Sequence, residues 1–249
     1  MKLQLLLFTL LLSTLLRAQT VTVAVAANVS YAIGSLQKTF EIKYPDTKVQ
    51  VILGSSGKLT ALIKKGAPYD ILMAANMAYP NALYKDALCI NKPKIYAQGS
   101  LALLTTKELD LSKEIAVVED PNVKKIAITN PKTAPYGKAA LEALQNAKLY
   151  SSSKEKLVFA ETVSQSVAYT LRVADIGFIA KSALFSPKMQ EFKEGRNWVS
   201  VDSKLYTPID QGVAVLKRAK DNSAAKEFYN FLFSDEAKDI FKKFGYMVP

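Results

Sequence analysis

The chain has 249 residues, a formal charge of +11, no histidine and one cysteine. Without histidine it has no serine–histidine–aspartate triad and few options for zinc, and one thiol forms no internal disulfide. Its lysines are scattered and do not alternate with aromatic residues along a groove, so we predict no nucleic-acid partner.

The first eighteen residues have the pattern of a secretory signal peptide. Lys2 is followed by a block over residues 5–12 that is apolar except for Thr9, and the segment ends at the small residue Ala18. A basic start, a short apolar block and a small residue at the end are typical of such a signal. No cysteine lies in this region, which argues against a lipid-attached N-terminus. We therefore predict that residues 1–18 are cleaved and that the mature protein is periplasmic.

Short apolar strands alternate with helical segments along the first ninety residues. Residues 21–25, 49–53 and 70–74 are predicted strands, and each is followed by apolar residues at helical spacing. This alternation is typical of a parallel α/β sheet. Asn28 is predicted to be the N-cap of the first helix, and Cys89 is predicted to be a small buried residue.

The same alternation continues to the end of the chain. Further strands are predicted at residues 101–104, 125–128, 157–159, 175–179, 198–201 and 211–216. Two helices close the chain, and the second is predicted to begin at Ser234, which is followed by two acidic residues. Five apolar residues are predicted to bury these helices against the α/β unit that the first ninety residues form: Phe228, Phe231, Leu232, Ile240 and Phe241.

Four junctions between a strand and a helix consist of neutral residues that can form hydrogen bonds. They are residues 26–28, 54–57, 134–137 and 162–164. In open α/β sheets, ligands bind at such junctions, and the N–H groups at helix starts attract anions. Neutral donors at all four junctions predict the reversible binding of a compact oxyanion rather than catalysis.

Each junction taken alone also has a purely structural interpretation. Asn28 and the pair Ser55-Ser56 fit ordinary helix caps, and Tyr136 fits a core aromatic residue. The stretch from Gly54 to Lys58 lacks the four-residue spacer and the final Ser or Thr of a nucleotide-binding P-loop. Only the set of four junctions favours a binding site.

Five segments resemble the periplasmic molybdate-binding proteins of ABC importers. They are residues 25–28, 54–59, 66–75, 135–140 and 175–180, and together they extend over nearly the whole mature chain. The patterns Gly-Ala-Pro-X-Asp and Pro-X-Gly-Lys-Ala-Ala within them are the most specific.

The resemblance implies an α/β protein with the class II periplasmic binding protein fold. Such a protein has two lobes, each a mostly parallel sheet flanked by helices, and two chain crossings. One lobe is expected to comprise residues 19–98 plus 206–249, and the other residues 99–205. The crossings are expected near Gln98-Gly99 and between Tyr206 and Gly212.

The resemblance also implies the ligand and the residues that contact it. The ligand is molybdate or tungstate, bound as a tetrahedral dianion and not as a metal cation, and no cofactor is expected. Asn28 and Ser56 lie where the family provides side-chain donors. Tyr136 and Val163 lie where the second lobe provides backbone N–H groups, and Ala27 is a further candidate N–H donor.

One position departs from part of the family. Ala180 stands where some members place a tyrosine hydroxyl, so this chain resembles the subgroup with asparagine at the position of Asn28. Without that hydroxyl, the number of contacts to the ligand is expected to differ from that in those members.

The implied function is the capture of the oxyanion by a monomer that delivers it to the membrane permease of an ABC importer. One alternative is a binding protein for another tetrahedral oxyanion such as sulfate, which differs in size. Phosphate carries a proton at neutral pH and favours a carboxylate acceptor, which the four junctions lack. Another alternative is an enzyme of the same fold, but the junctions contain no nucleophile–base pair and no paired acids.

Overall fold

The computed structural model describes residues 19–249, and the predicted signal peptide lies outside the described residues. The strands are β1 (Gln19–Ala26), β2 (Thr47–Gly54), β3 (Ile71–Ala74), β4 (Lys94–Gly99), β5 (Leu101–Thr105), β6 (Ile126–Thr129), β7 (Leu157–Ala160), β8 (Ile176–Ala180), β9 (Trp198–Ser200) and β10 (Ile209–Val215). The α-helices are α1 (Ile33–Lys43), α2 (Ser56–Lys64), α3 (Ala78–Lys85), α4 (Pro135–Asn146), α5 (Tyr150–Ser153), α6 (Val163–Arg172), α7 (Ser223–Phe231) and α8 (Asp235–Lys243). Within the described range, no helix is both long and apolar enough to cross a bilayer.

The strands form two five-stranded sheets with equivalent strand orders. The first sheet has the order β2-β1-β3-β10-β4, and the second has the order β7-β6-β8-β5-β9. β1 is parallel to β2 and β3, and β6 is parallel to β7 and β8. β10 runs antiparallel to both β3 and β4, and β5 runs antiparallel to both β8 and β9. The predicted fold class, two mostly parallel sheets flanked by helices, is therefore confirmed.

The chain passes between the sheets twice. It leaves the first sheet after β4 and enters the second at β5, and it returns between β9 and β10. We call the first sheet with its helices the first lobe and the second sheet with its helices the second lobe. The strands next to the crossings lie at one edge of each sheet: β10 and β4 in the first sheet, and β5 and β9 in the second. The opposite edges, away from the crossings, are β2 and β7. The exact residue limits of the lobes stay a prediction.

The first lobe has a core built on alternate residues of β1. Val21, Val23 and Val25 are fully buried and pack with α1, α7 and α8. All five apolar residues predicted to bury the last two helices belong to this core, as the sequence indicates. The Phe228 ring meets the Phe40 ring edge to face, with the ring centroids 5.1 Å apart.

Two further predictions about single residues are confirmed. Cys89 is buried and unpaired, and its burial raises the pKa of the thiol to about 11. Ser234 is the N-cap of α8, where its hydroxyl accepts a hydrogen bond from the N–H group of Ala237.

The sequence analysis lacks one strand, and one of its local predictions needs correction. Strand β4 has no alternating pattern that would predict it: Lys94 and Ile95 are exposed, and Tyr96 and Ala97 are both buried. The prediction that Asn28 is an N-cap is wrong. Residues Ala27–Tyr31 form a 3₁₀ helix with Ala26 as its N-cap, and α1 begins later, at Ile33. The amide of Asn28 makes tertiary hydrogen bonds, described below, and does not cap a helix.

The core of the first lobe predicts a large loss of stability when a ring is removed from it. In the chain from residue 19 onward, Phe228→Ala should lower the free energy of unfolding by about 3–5 kcal/mol, because it leaves a cavity between α7 and β1. Ile42 is 73% exposed, so Ile42→Ala should change the free energy by less than about 0.5 kcal/mol. Urea unfolding measures both, and a loss below about 1 kcal/mol for Phe228→Ala would contradict this packing.

Candidate functional site

The four predicted junctions meet at one small pocket between the lobes. The pocket is narrow, and the centre of a water-sized sphere can occupy only about 10 Å³ within it. We call it the interlobe pocket; its lining residues are Ala26, Ala27, Asn28, Gly54, Ser55, Ser56, Ala75, Ala134, Pro135, Tyr136 and Val163. All five residues predicted to bind a ligand therefore lie in its wall.

The wall of the interlobe pocket carries no formal charge. Its one ionisable side chain is Tyr136, and burial raises the pKa of this hydroxyl well above 10.0, so the group stays neutral. Three α-helices begin in the wall, at Ser56, Pro135 and Val163. Helix starts carry partial positive charge, and the N–H groups of the first turn have no partner within the helix. The pocket is therefore electropositive through backbone dipoles alone.

The two serines at the start of α2 are placed differently. The hydroxyl oxygen of Ser56 accepts a hydrogen bond from the N–H group of Ala75 at 2.9 Å, which leaves its hydrogen to be donated. Ser55 is the N-cap of α2, yet its side chain makes no capping hydrogen bond. Its hydroxyl is buried without a partner. A buried unpaired hydroxyl is costly, and a bound ligand would satisfy it. The sequence places Ser55 in the second junction, but the predicted ligand-binding residues include Ser56 and not Ser55.

The side chain of Asn28 is held by two residues that lie far away in the sequence. Its Nδ2 group donates to Oε1 of Gln211 at 2.8 Å and to the hydroxyl of Tyr246 at 2.9 Å. Gln211 has a fixed orientation, because its own Nε2 donates to the carbonyl of Ile209 at 2.7 Å. Both N–H bonds of the Asn28 amide are thus occupied by the protein. The geometry therefore gives no support to the prediction that this amide donates to a ligand.

Two unpaired polar groups are neighbours beside that network. Oδ1 of Asn28 and the hydroxyl of Tyr136 are both buried and make no hydrogen bond within the described structure. The amide of Asn28 is close enough to influence the pKa of Tyr136, although burial dominates and raises it. The two groups complement each other as acceptor and donor.

The backbone of Asn28 connects the two lobes. Its carbonyl accepts a hydrogen bond from the hydroxyl of Tyr246 in the first lobe at 2.9 Å. It also accepts one from the hydroxyl of Ser182 in the second lobe at 3.0 Å. Burial raises the pKa of Tyr246, so its hydroxyl keeps the proton that it donates. Sequence reasoning identified neither Gln211, Tyr246 nor Ser182.

Two further features of the structure concern the side chain at position 180 and the binding of metal cations. Ala180 is fully buried at the end of β8, and its methyl group offers no hydrogen bond to a ligand. Among residues 19–249, no three His, Cys, Asp or Glu side chains are grouped so that they could hold a cation.

Comparison with known proteins places the chain in a family. The family model for bacterial extracellular solute-binding proteins matches residues 21–247. The chain belongs to this family. It is 33% identical to the molybdate-binding protein ModA of Azotobacter vinelandii over 95% of this chain and 93% of that protein. It is 31% identical to the molybdate-binding protein ModA of Rhodobacter capsulatus over 91% of this chain and 88% of that protein.

A solved structure of a relative has the same architecture as this solute-binding protein. The periplasmic molybdate-binding protein of Azotobacter vinelandii superposes with a TM-score of 0.84 and 27% sequence identity. The superposition covers 92% of this chain and 99% of the relative. The two-lobed fold inferred from the sequence is thus shared along the whole described chain.

The hydrogen bonds of Tyr246 predict a difference between two buried tyrosines. Tyr246→Phe should lower the free energy of unfolding by about 1–3 kcal/mol, because it leaves the Asn28 amide short of an acceptor. Tyr96 is equally buried, but its hydroxyl has no partner. Tyr96→Phe should therefore be neutral or slightly stabilising in the same denaturation experiment. Equal losses for the two variants would contradict the described network.

Proposed function

We propose that this chain is an extracytoplasmic binding protein that captures molybdate or tungstate in the interlobe pocket and delivers it to the membrane permease of an ABC importer. The observation that carries the proposal is the convergence of neutral hydrogen-bond donors from both lobes on one pocket without a charged side chain. The identity of the ligand is supported by the relatives, which are named for molybdate binding.

Donors from both lobes would surround the anion. In the first lobe these are the hydroxyls of Ser55 and Ser56 and the backbone N–H groups at the start of the Ala27–Tyr31 helix. In the second lobe they are the N–H groups of Tyr136 and Val163. Each hydrogen bond to a charged ligand contributes about 1.5–3 kcal/mol. About six of them would support micromolar to nanomolar affinity after the cost of association.

Neutral donors also suit delivery. A lysine or arginine in the pocket would be left as a buried, unpaired charge when the anion departs, at a high energetic cost. Hydroxyl and N–H groups carry a smaller penalty and can be rehydrated. The proposed protein acts as a monomer in the periplasm after removal of residues 1–18, without a cofactor, a catalytic reaction or a nucleic-acid partner.

Titration of the purified protein with four anions tests the ligand. Isothermal titration calorimetry should detect tight binding of molybdate and tungstate and much weaker binding of sulfate and phosphate. Tight binding of sulfate without a response to molybdate would overturn the proposal in favour of the sulfate alternative.

Removal of one hydroxyl tests the site. Ser56→Ala should weaken molybdate binding about tenfold or more, because it removes one hydrogen bond to a charged ligand. Ser35 is exposed on α1 and does not line the pocket, and Ser35→Ala is the matched control that should bind normally. An unchanged affinity for Ser56→Ala would mean that the anion binds elsewhere.

The uncharged wall predicts weak dependence of binding on pH. The chain has no histidine, and the raised pKa of Tyr136 keeps its hydroxyl neutral throughout this range. Molybdate affinity should therefore change less than threefold between about pH 7 and about pH 9. Calorimetry at several pH values checks this, and a tenfold change would indicate a titrating group in the site.

A further inference from the structure

On the side away from the chain crossings, two consecutive residues of the first lobe contact the second lobe. The N–H group of Gly57 donates to the carbonyl of Thr133 at 2.9 Å. Nζ of Lys58 lies 2.5 Å from Oε1 of Glu161. We call these four residues the closing seam. None of them lines the interlobe pocket.

The sheet order shows where the closing seam lies. Gly57 and Lys58 are in the first turn of α2, which follows β2, and Glu161 follows β7. β2 and β7 are the edge strands away from the crossings. If the lobes rotate apart about the crossings, this side moves the furthest. The contacts of the closing seam can therefore exist only while the lobes are closed.

Gly57 is required at the closing seam because of space. A Cβ atom at this position would lie 2.8 Å from the carbonyl oxygen of Thr133 and 3.1 Å from its Cα. Both atoms belong to the backbone of the opposite lobe, so they cannot move aside as a flexible side chain would. The backbone conformation of Gly57 is one that other residues adopt, since its φ does not lie in the left-handed region. The third close atom, the hydroxyl oxygen of Tyr79 at 3.0 Å, is the end of a side chain in the first lobe and can move aside. An added methyl group would therefore oppose closure and leave the helix itself intact.

We propose that the closing seam holds the lobes shut over the bound anion and thereby sets the rate at which the anion leaves. This inference rests on the proposed function. Capture needs only the donors of the pocket, whereas escape needs the lobes to separate. Gly57, Lys58 and Glu161 are thus positioning residues that govern release without touching the ligand.

The main test compares two glycine-to-alanine variants of the protein. Release of radiolabelled molybdate is followed after a chase with excess unlabelled molybdate. Gly57→Ala should release the anion at least about tenfold faster and lower its affinity by a similar factor, because affinity differences between related complexes lie mostly in the dissociation rate. The melting temperature without ligand should stay the same or rise, since alanine favours the helix.

Gly34 provides the matched control. It lies in α1, and an added Cβ would meet nothing within 4 Å. Gly34→Ala should release molybdate at the rate of the unmodified protein. A normal release rate for Gly57→Ala would overturn the inference.

The ion pair provides an independent second test. Glu161→Gln should accelerate release by up to about fivefold at low salt, as expected for an exposed pair, and the effect should disappear at high salt. The control is Asp86→Asn, which removes the partner of Lys64 on the same helix but inside the first lobe. It should leave release unchanged.

Three outcomes separate the two proposals. If the unmodified protein does not bind molybdate, the proposed function fails, and the inference fails with it. If it binds molybdate but Gly57→Ala releases it at the normal rate, only the inference is overturned, whatever the result for Glu161→Gln. Faster release in both variants, with normal release in both controls, supports the closing seam.

Discussion

The structure depends on one constraint of the α-helix: the N–H groups of its first turn have no acceptor within the helix. Parallel strands bring successive helix starts to the same edge of a sheet, and two such sheets face each other here across the interlobe pocket. An oxyanion with several equivalent oxygens can accept from many of these groups at once. The ligand then supplies the acceptors that the helices lack, which explains how a pocket without a charged side chain can bind a dianion.

The side chains that attract anions and the groups that select among them therefore lie in different parts of the protein. The lysines and arginines among residues 19–249, which outnumber the acidic residues, all lie outside the pocket wall, and their excess charge attracts anions at long range. Selectivity is left to the size of the pocket and the direction of its donors. Contacts between the lobes lie on two sides of the pocket: the carbonyl of Asn28 accepts from Ser182 at one place, and Gly57 donates to Thr133 at another. The lobes are thus joined on both sides of the pocket by hydrogen bonds to backbone carbonyls.

Features with a local cause could be predicted from the sequence. The β1 valines alternate, Ser234 precedes two acidic residues, and the neutral junctions each follow an apolar strand. Strand positions, a helix start and the pocket wall could therefore be predicted. Features that depend on residues far apart in the sequence could not be predicted. Asn28 is 183 positions from Gln211 and 218 from Tyr246, and no local pattern indicates that these residues hold its amide. Likewise, Gly57 looks like an ordinary turn residue until Thr133 is placed against it.

The most direct test of the account is to locate the anion. Crystals of the protein grown with molybdate can be measured at the molybdenum absorption edge, where anomalous scattering marks the metal. The account predicts one strong peak inside the interlobe pocket, with the oxyanion within hydrogen-bonding distance of the hydroxyl of Ser56 and the N–H groups of Tyr136 and Val163. A pocket without a peak, or a strongest peak at another place on the protein, would contradict it.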